Sequence, residues 1–166
     1  MSIVETLRSV EVFAGLEEGQ LGRIASLCRG GSYRQGATIF NEGDEALEFY
    51  VVTSGRVALE IDLRPVAERP VIPTTLEVVT EGEAFGWSAV VEPHTYTTSA
   101  RCATTCSVLA IKGEMLLKAM DNDPQLGYRL MKKLAQVISL RLMHTRLRLV
   151  SGLGLAVLAR ELGESR

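Results

Sequence analysis

The segment Gly82-Glu83-Ala84-Phe85-Gly86-Trp87-Ser88-Ala89, followed after six intervening residues by Tyr96-Thr97-Thr98-Ser99-Ala100-Arg101-Cys102, constrains this chain most. The first piece reads as a short strand, a tight glycine turn and one helical turn. The second reads as another strand. A chain that reverses on a glycine and at once begins a helical turn points backbone N–H groups at one spot, which makes a ready anion site.

The flanking sequence sets the frame for that segment. Val4, Leu7, Val10, Phe13, Leu16, Leu21, Ile24 and Leu27 fall at helical spacing, with Gly15 and Gly19 expected to break them into short helices. From Tyr33 onward the texture is β: runs at 37–40 and 48–52, an alternating strand at 55–61, and further strands at 76–79, 97–103 and 107–111. Turn sequences such as Asn41-Glu42-Gly43-Asp44 separate them. Pro65, Pro70 and Pro73 mark 62–75 as an exposed connection, because proline cannot donate to a central ladder. Residues 113–120 turn helical. Asp123-Pro124 then supplies an N-cap and a first-turn proline for a long helix to about Val150. Many short strands with glycine turns argue for an α+β fold: an antiparallel, jelly-roll-like β-roll with short N-terminal helices and a long C-terminal helix. The expected division is 1–123 for the roll and its helices, 124–150 for a dimerisation or lid helix, and 151–166 for a short helical or flexible tail.

Bulk properties exclude several classes. The 166 residues fit one domain with a proper core, and 46% hydrophobic with 23% charged residues is ordinary for a soluble globular protein. Apolar runs fall well short of a membrane span, and the N-terminus lacks a basic-then-apolar signal, so a cytoplasmic location is expected. Cys28, Cys102 and Cys106 have no metal-ligand spacing; the last two, four apart, read as buried small hydrophobes on one side of a strand. His94 and His144 have no nucleophile or metal constellation beside them, so an enzyme is not expected. Charge is uneven: 10 basic against 18 acidic residues up to 123, then Arg129, Lys132, Lys133, Arg141, Arg146 and Arg148 with no acid through 150. A solvated helix beside an acidic body is the preferred explanation over a nucleic-acid or membrane contact.

The long helix is apolar on more than one side. Leu126, Leu130, Leu134, Val137 and Arg141 form one ridge; Met131, Ile138, Leu142 and Leu149 form its neighbour. One ridge covers the roll, leaving the other for a second helix across a two-fold axis, or for residues 153–162 folding back past Gly152 and Gly154. A homodimer through 124–150 is the favoured outcome.

The order of elements over residues 5–150 resembles the cyclic nucleotide-binding domain of catabolite-activator-type proteins. Carrying the resemblance are Phe13-Ala14-Gly15-Leu16, Gly43-Asp44, Phe49-Tyr50-Val51-Val52-Thr53-Ser54-Gly55, Gly82-Glu83-Ala84-Phe85-Gly86 and the Asp123-Pro124 helix entry. The resemblance implies a ligand cradle at Gly86, Ser88 and Ala89, lined further by Thr97 and Thr98. It also implies a departure. Trp87 stands where the family carries a ribose-binding Glu, and Tyr96 where it carries a phosphate-pairing Arg. Arg101, five residues beyond Tyr96, points to the opposite strand face and reads as solvent-exposed. The family's adenine-contacting polar pair would fall at Arg141-Leu142. Leu142 cannot replace a hydroxyl; Arg141 either meets a base or phosphate or, the preferred reading, stays on the surface of a dimer helix. Trp87, the single tryptophan, either plugs the pocket or stacks on a planar ligand.

What the resemblance implies is a regulatory sensor domain with an altered cassette, signalling through its C-terminal helix. Candidate ligands are a cyclic nucleotide (cyclic AMP or GMP), bound weakly for want of the Arg, or another small molecule, neutral or aromatic. The alternative is a structural or partner-binding domain with a plugged pocket. Sixteen residues after Val150 are too few for a DNA-binding domain, so no direct DNA binding is expected.

Overall fold

The computed structural model describes residues 2–63 and 72–164, with side chains described over 2–63 and 73–152. Helix α1 (Ile3–Ser9) starts on a reciprocal cap: the Ser2 hydroxyl accepts from Glu5 N–H, and the Glu5 carboxylate accepts from Ser2 N–H. A 3-10 turn (Glu11–Phe13) and α2 (Glu18–Leu27) follow. Gly15, at φ 86°, makes the break, whereas Gly19 lies inside the first turn of α2.

Among the described residues eight strands form the roll: β1 (Cys28–Tyr33), β2 (Thr38–Phe40), β3 (Glu48–Ser54), β4 (Arg56–Leu63), β5 (Ile72–Thr80), β6 (Ala84–Phe85), β7 (Ser99–Cys102) and β8 (Cys106–Lys112). They make two antiparallel four-stranded sheets, ordered β1-β8-β3-β6 and β2-β7-β4-β5. Alternation supplies the inward faces: Val51, Val57, Phe85 and Ile111 are fully buried, and Phe49 meets Phe13 edge to face.

Three sequence expectations need correction. β1 falls before the change of texture at Tyr33; its Gly30 and Gly31 hide it from propensity, yet it pairs β8 along its whole length. The proline-bearing connection is shorter than expected, because Asp62, Leu63 and 72–75 are paired strand. Pro73 is tolerated there because β5 is an edge strand; Pro65 and Pro70 lie outside the described residues. Cys102 and Cys106 end β7 and begin β8, on either side of the turn that passes from one sheet to the other rather than along one strand. Both are buried, and burial pushes the Cys102 thiol up to about 12.

Helix α3 (Gly113–Asn122) begins where only glycine fits, since a Cβ on Gly113 would run into the Ala89 carbonyl. Asp123 then caps α4 (Pro124–Glu164), accepting from Leu126 N–H at 3.0 Å. The first α4 ridge is buried: Leu126, Leu130, Leu134, Val137 and Arg141 are all at most 9% exposed. The helix continues past Gly152 and Gly154 to Glu164 instead of ending near Val150.

Candidate functional site

The segment between β6 and β7 shapes a cavity against α4. Ala84 and Phe85 pair with Val51 and Tyr50, which anchors the entry. Gly86 reverses the chain at φ 73°, a left-handed conformation, and a Cβ there would press within 3.1 Å of the Glu48 carbonyl and the Tyr50 ring. A 3-10 turn (Trp87–Val90) follows immediately. The expected strand–turn–helical-turn order is therefore realised.

Tyr96 forms the floor. Its hydroxyl donates to the Glu48 carbonyl at 2.7 Å and accepts from Glu48 N–H at 3.2 Å, so both functions of the phenol are spent on backbone. Its ring lies flat on Phe40, with centroids 3.6 Å apart and planes 8° from parallel. Tyr50 and Phe85 stack behind, at 5.0 Å. Burial holds the Tyr96 pKa above its ordinary value, which keeps the donor protonated.

The opposite wall comes from α4. Arg141 is 9% exposed, so the surface placement preferred from sequence is wrong. A helix-face pattern cannot separate a surface Arg from one that reaches inward over a neighbouring sheet. Its Nη2 donates to the Ala84 carbonyl at 2.6 Å, its Nε stands 3.2 Å from Glu77 Oε1, and its guanidinium lies 4.8 Å above the Trp87 ring. Nη1 is buried with no hydrogen-bond partner among the described residues. Burial lowers the Arg141 pKa, opposed by the carboxylates of Glu77, Glu83 and Glu11; it raises that of Glu77, opposed chiefly by Arg141. Seven residues on, Arg148 Nη1 donates to the Leu76 carbonyl at 2.6 Å. Two arginines thus hold α4 across the edge of β5.

The half-open cavity measures ≈ 220 Å³. Gly86, Trp87, Ser88, Tyr96, Thr97, Thr98 and Arg141 all line it. Ala89 does not; it is buried beneath the start of α3. Trp87 is a half-buried wall of the cavity rather than a plug filling it. Arg101 is exposed and pairs with Glu60, as expected from its strand face. Leu142, 49% exposed, sits at the rim. Sequence reasoning missed Phe40, Leu59 and Glu77 from the sheets and Thr145 from α4. Glu77 carried one signal: an acid between Leu76 and Val78 in an otherwise apolar run. Among the described residues no cluster of His, Cys, Asp or Glu could hold a metal, and no helix is long and apolar enough to cross a membrane.

Residues 31–123 match the family model described as the cyclic nucleotide-binding domain. A candidate cyclic nucleotide-binding protein from Geobacter metallireducens is 30% identical, with a TM-score of 0.72 over 86% of this chain and 99% of its own. The catabolite activator protein of Thermus thermophilus is 27% identical, with a TM-score of 0.68 over 85% of this chain and 63% of its own. The PKA regulatory domain of Toxoplasma gondii, solved with cAMP, shares the fold at 21% identity and a TM-score of 0.66, over 81% of this chain and 49% of its own. No curated protein matches the chain.

Proposed function

The chain belongs to the cyclic nucleotide-binding domain family, and from that premise we propose that it is a cytoplasmic sensor module whose altered cassette admits a small ligand and whose α4 carries the response. Domains of this family are regulatory and sensor domains. One observation carries the proposal. Arg141 of α4 touches the Ala84 carbonyl, the Trp87 ring and Glu77 at once, so a ligand entering the cavity meets the helix directly. A ligand can shift a conformational equilibrium only through differential contacts, and Arg141 provides them. The site is Gly86, Trp87, Ser88, Tyr96, Thr97, Thr98 and Arg141, with Ala89 supporting from below. Residues 1–123 form the sensing unit and 124–150 the responding helix, which also pairs two chains; 151–164 continue that helix.

The reading is tested by titrating cyclic AMP, cyclic GMP and cyclic di-GMP while following Trp87 emission. The distance between nitroxides at Glu81 on the roll and Leu149 on α4 is read in parallel. A compound that perturbs Trp87 should also change the distance. Saturable binding with an unchanged distance distribution would reject α4 as the output.

The second reading is a non-sensing domain that binds a protein partner. The Tyr96–Phe40 stack favours it, because it fills the floor where a ligand would otherwise sit. On that reading Trp87 emission stays unmoved by every small molecule tried.

A further inference from the structure

A bulge in β5 sets the charge of the cavity. Leu59 of β4 opposes Glu77 and Glu60 opposes Thr75, so Leu76 between them has no cross-strand partner. Regular pleating would send Leu76 and Glu77 to opposite faces of the sheet. The extra residue lets both of them line the same cavity. Leu59 lines it too, and residues directly opposite on a ladder share a face, which puts the Glu77 side chain on the cavity side.

Among the described residues that line the cavity, Glu77 is the single anion and Arg141 the single cation. The two are paired, Arg141 Nε to Glu77 Oε1 at 3.2 Å. Arg141 is further engaged by the Ala84 carbonyl and the Trp87 ring. The other polar groups of the lining, on Ser88, Tyr96, Thr97, Thr98 and Thr145, are uncharged hydroxyls. Glu83 and Glu11 add negative potential at Arg141, while Arg148 and His144 act on Glu77 from outside the lining. An anion that enters finds its one cation already neutralised. It must displace a half-buried carboxylate or lie beside it, and like charges at contact distance in such surroundings cost decades of affinity. An uncharged molecule meets no such cost.

We propose that Glu77 is the charge-selecting residue of the cavity: by neutralising Arg141 it turns away phosphate- and carboxylate-bearing molecules and leaves the site to uncharged ones. The proposal rests on the reading that this cavity is the ligand site, and it names the residue that sets the specificity of that site.

Cyclic AMP and adenosine share a base and a ribose and differ in the charged phosphate, so together they test the point. With the full chain and Trp87 emission as the signal, wild type should bind cyclic AMP no more tightly than adenosine. Glu77→Gln keeps the shape and removes the charge; it should tighten cyclic AMP by at least about tenfold and leave adenosine within about twofold. If Glu77→Gln fails to fold, Glu77→Thr, whose β-branched side chain suits a strand, is read in the same way. Equal tightening of both molecules would place the effect in cavity shape and overturn the proposal. An unchanged cyclic AMP affinity, or no saturable cyclic AMP binding by the folded variant, overturns it as well. So does a wild type that binds cyclic AMP more than about tenfold tighter than adenosine, a result that needs no variant. The nitroxide distance, read in the same titrations, separates this proposal from the sensor reading. Cyclic AMP binding gained by Glu77→Gln with α4 left in place keeps the charge selection and sinks the helix as output. Cyclic AMP binding that moves α4 equally in wild type and variant, at equal affinity, does the reverse.

Discussion

Tyr96 shows what one side chain contributes where the family resemblance leads one to expect an arginine. Its ring supplies apolar floor against Phe40, and its hydroxyl satisfies both backbone groups of Glu48. Tyr96→Phe keeps the stack and removes both hydrogen bonds, leaving partly buried backbone groups without them. The expected loss is about 1–3 kcal/mol, read as a lower urea midpoint with an unchanged slope. A midpoint equal to wild type would mean that water replaces the hydroxyl and that the floor is open to solvent. The substitution at Tyr96 was legible from the order of residues after Gly86. That its hydroxyl is spent on Glu48, 48 positions away, was not, because the hairpins that bring the two together leave no local trace. Arg141 was illegible for a related reason: its helix position was correct, but its depth depends on how closely β5 approaches α4.

At the scale of elements, the Asp123 cap governs where α4 begins. Asp123 accepts from Leu126 N–H and Gln20 Nε2 and pairs with Arg23, and these contacts hold its pKa below the ordinary 3.8, the Leu126 hydrogen bond contributing most. A carboxylate whose pKa is depressed by folding stabilises the native state above its unfolded pKa, and that contribution disappears as pH falls through the folded value. Asp123→Ala should therefore lower the unfolding midpoint at pH 7, with the gap from wild type narrowing as pH drops below 3.8. A gap constant down to pH 2 would place the effect in helix propensity instead of in the cap's charge. The Asp-Pro pair made this boundary readable from sequence. The far end was not readable, because Gly152 and Gly154 suggest a stop that the backbone does not take. Glycine in a helix costs about 1 kcal/mol relative to alanine, too little to end one by itself.

At the scale of the whole molecule, the far half of α4 presents apolar side chains that the described residues of one chain do not cover. The buried ridge of α4 ends at Arg141; from Leu142 to Gly152 every described residue is exposed. Leu142, Met143, Leu147, Leu149 and Val150 are 48–67% exposed along it. Burying each such side chain is worth about 1.5–3 kcal/mol at most, and half-exposed residues retain much of that to gain. A second α4 packed across a two-fold axis covers the stripe on both chains with one contact, because an isologous interface uses the same patch twice. The basic residues on this helix do not oppose pairing as much as their number suggests: Arg141 and Arg148 are turned onto the roll, and Arg129 onto Glu17. Light scattering at micromolar concentration should give twice the 18.1 kDa chain mass. Met143→Glu combined with Leu147→Glu should return it to a monomer while leaving the Trp87 emission maximum unchanged, since neither residue lines the cavity. A wild-type mass of one chain would leave the apolar stripe to a different partner and remove the dimer from the proposed signalling route.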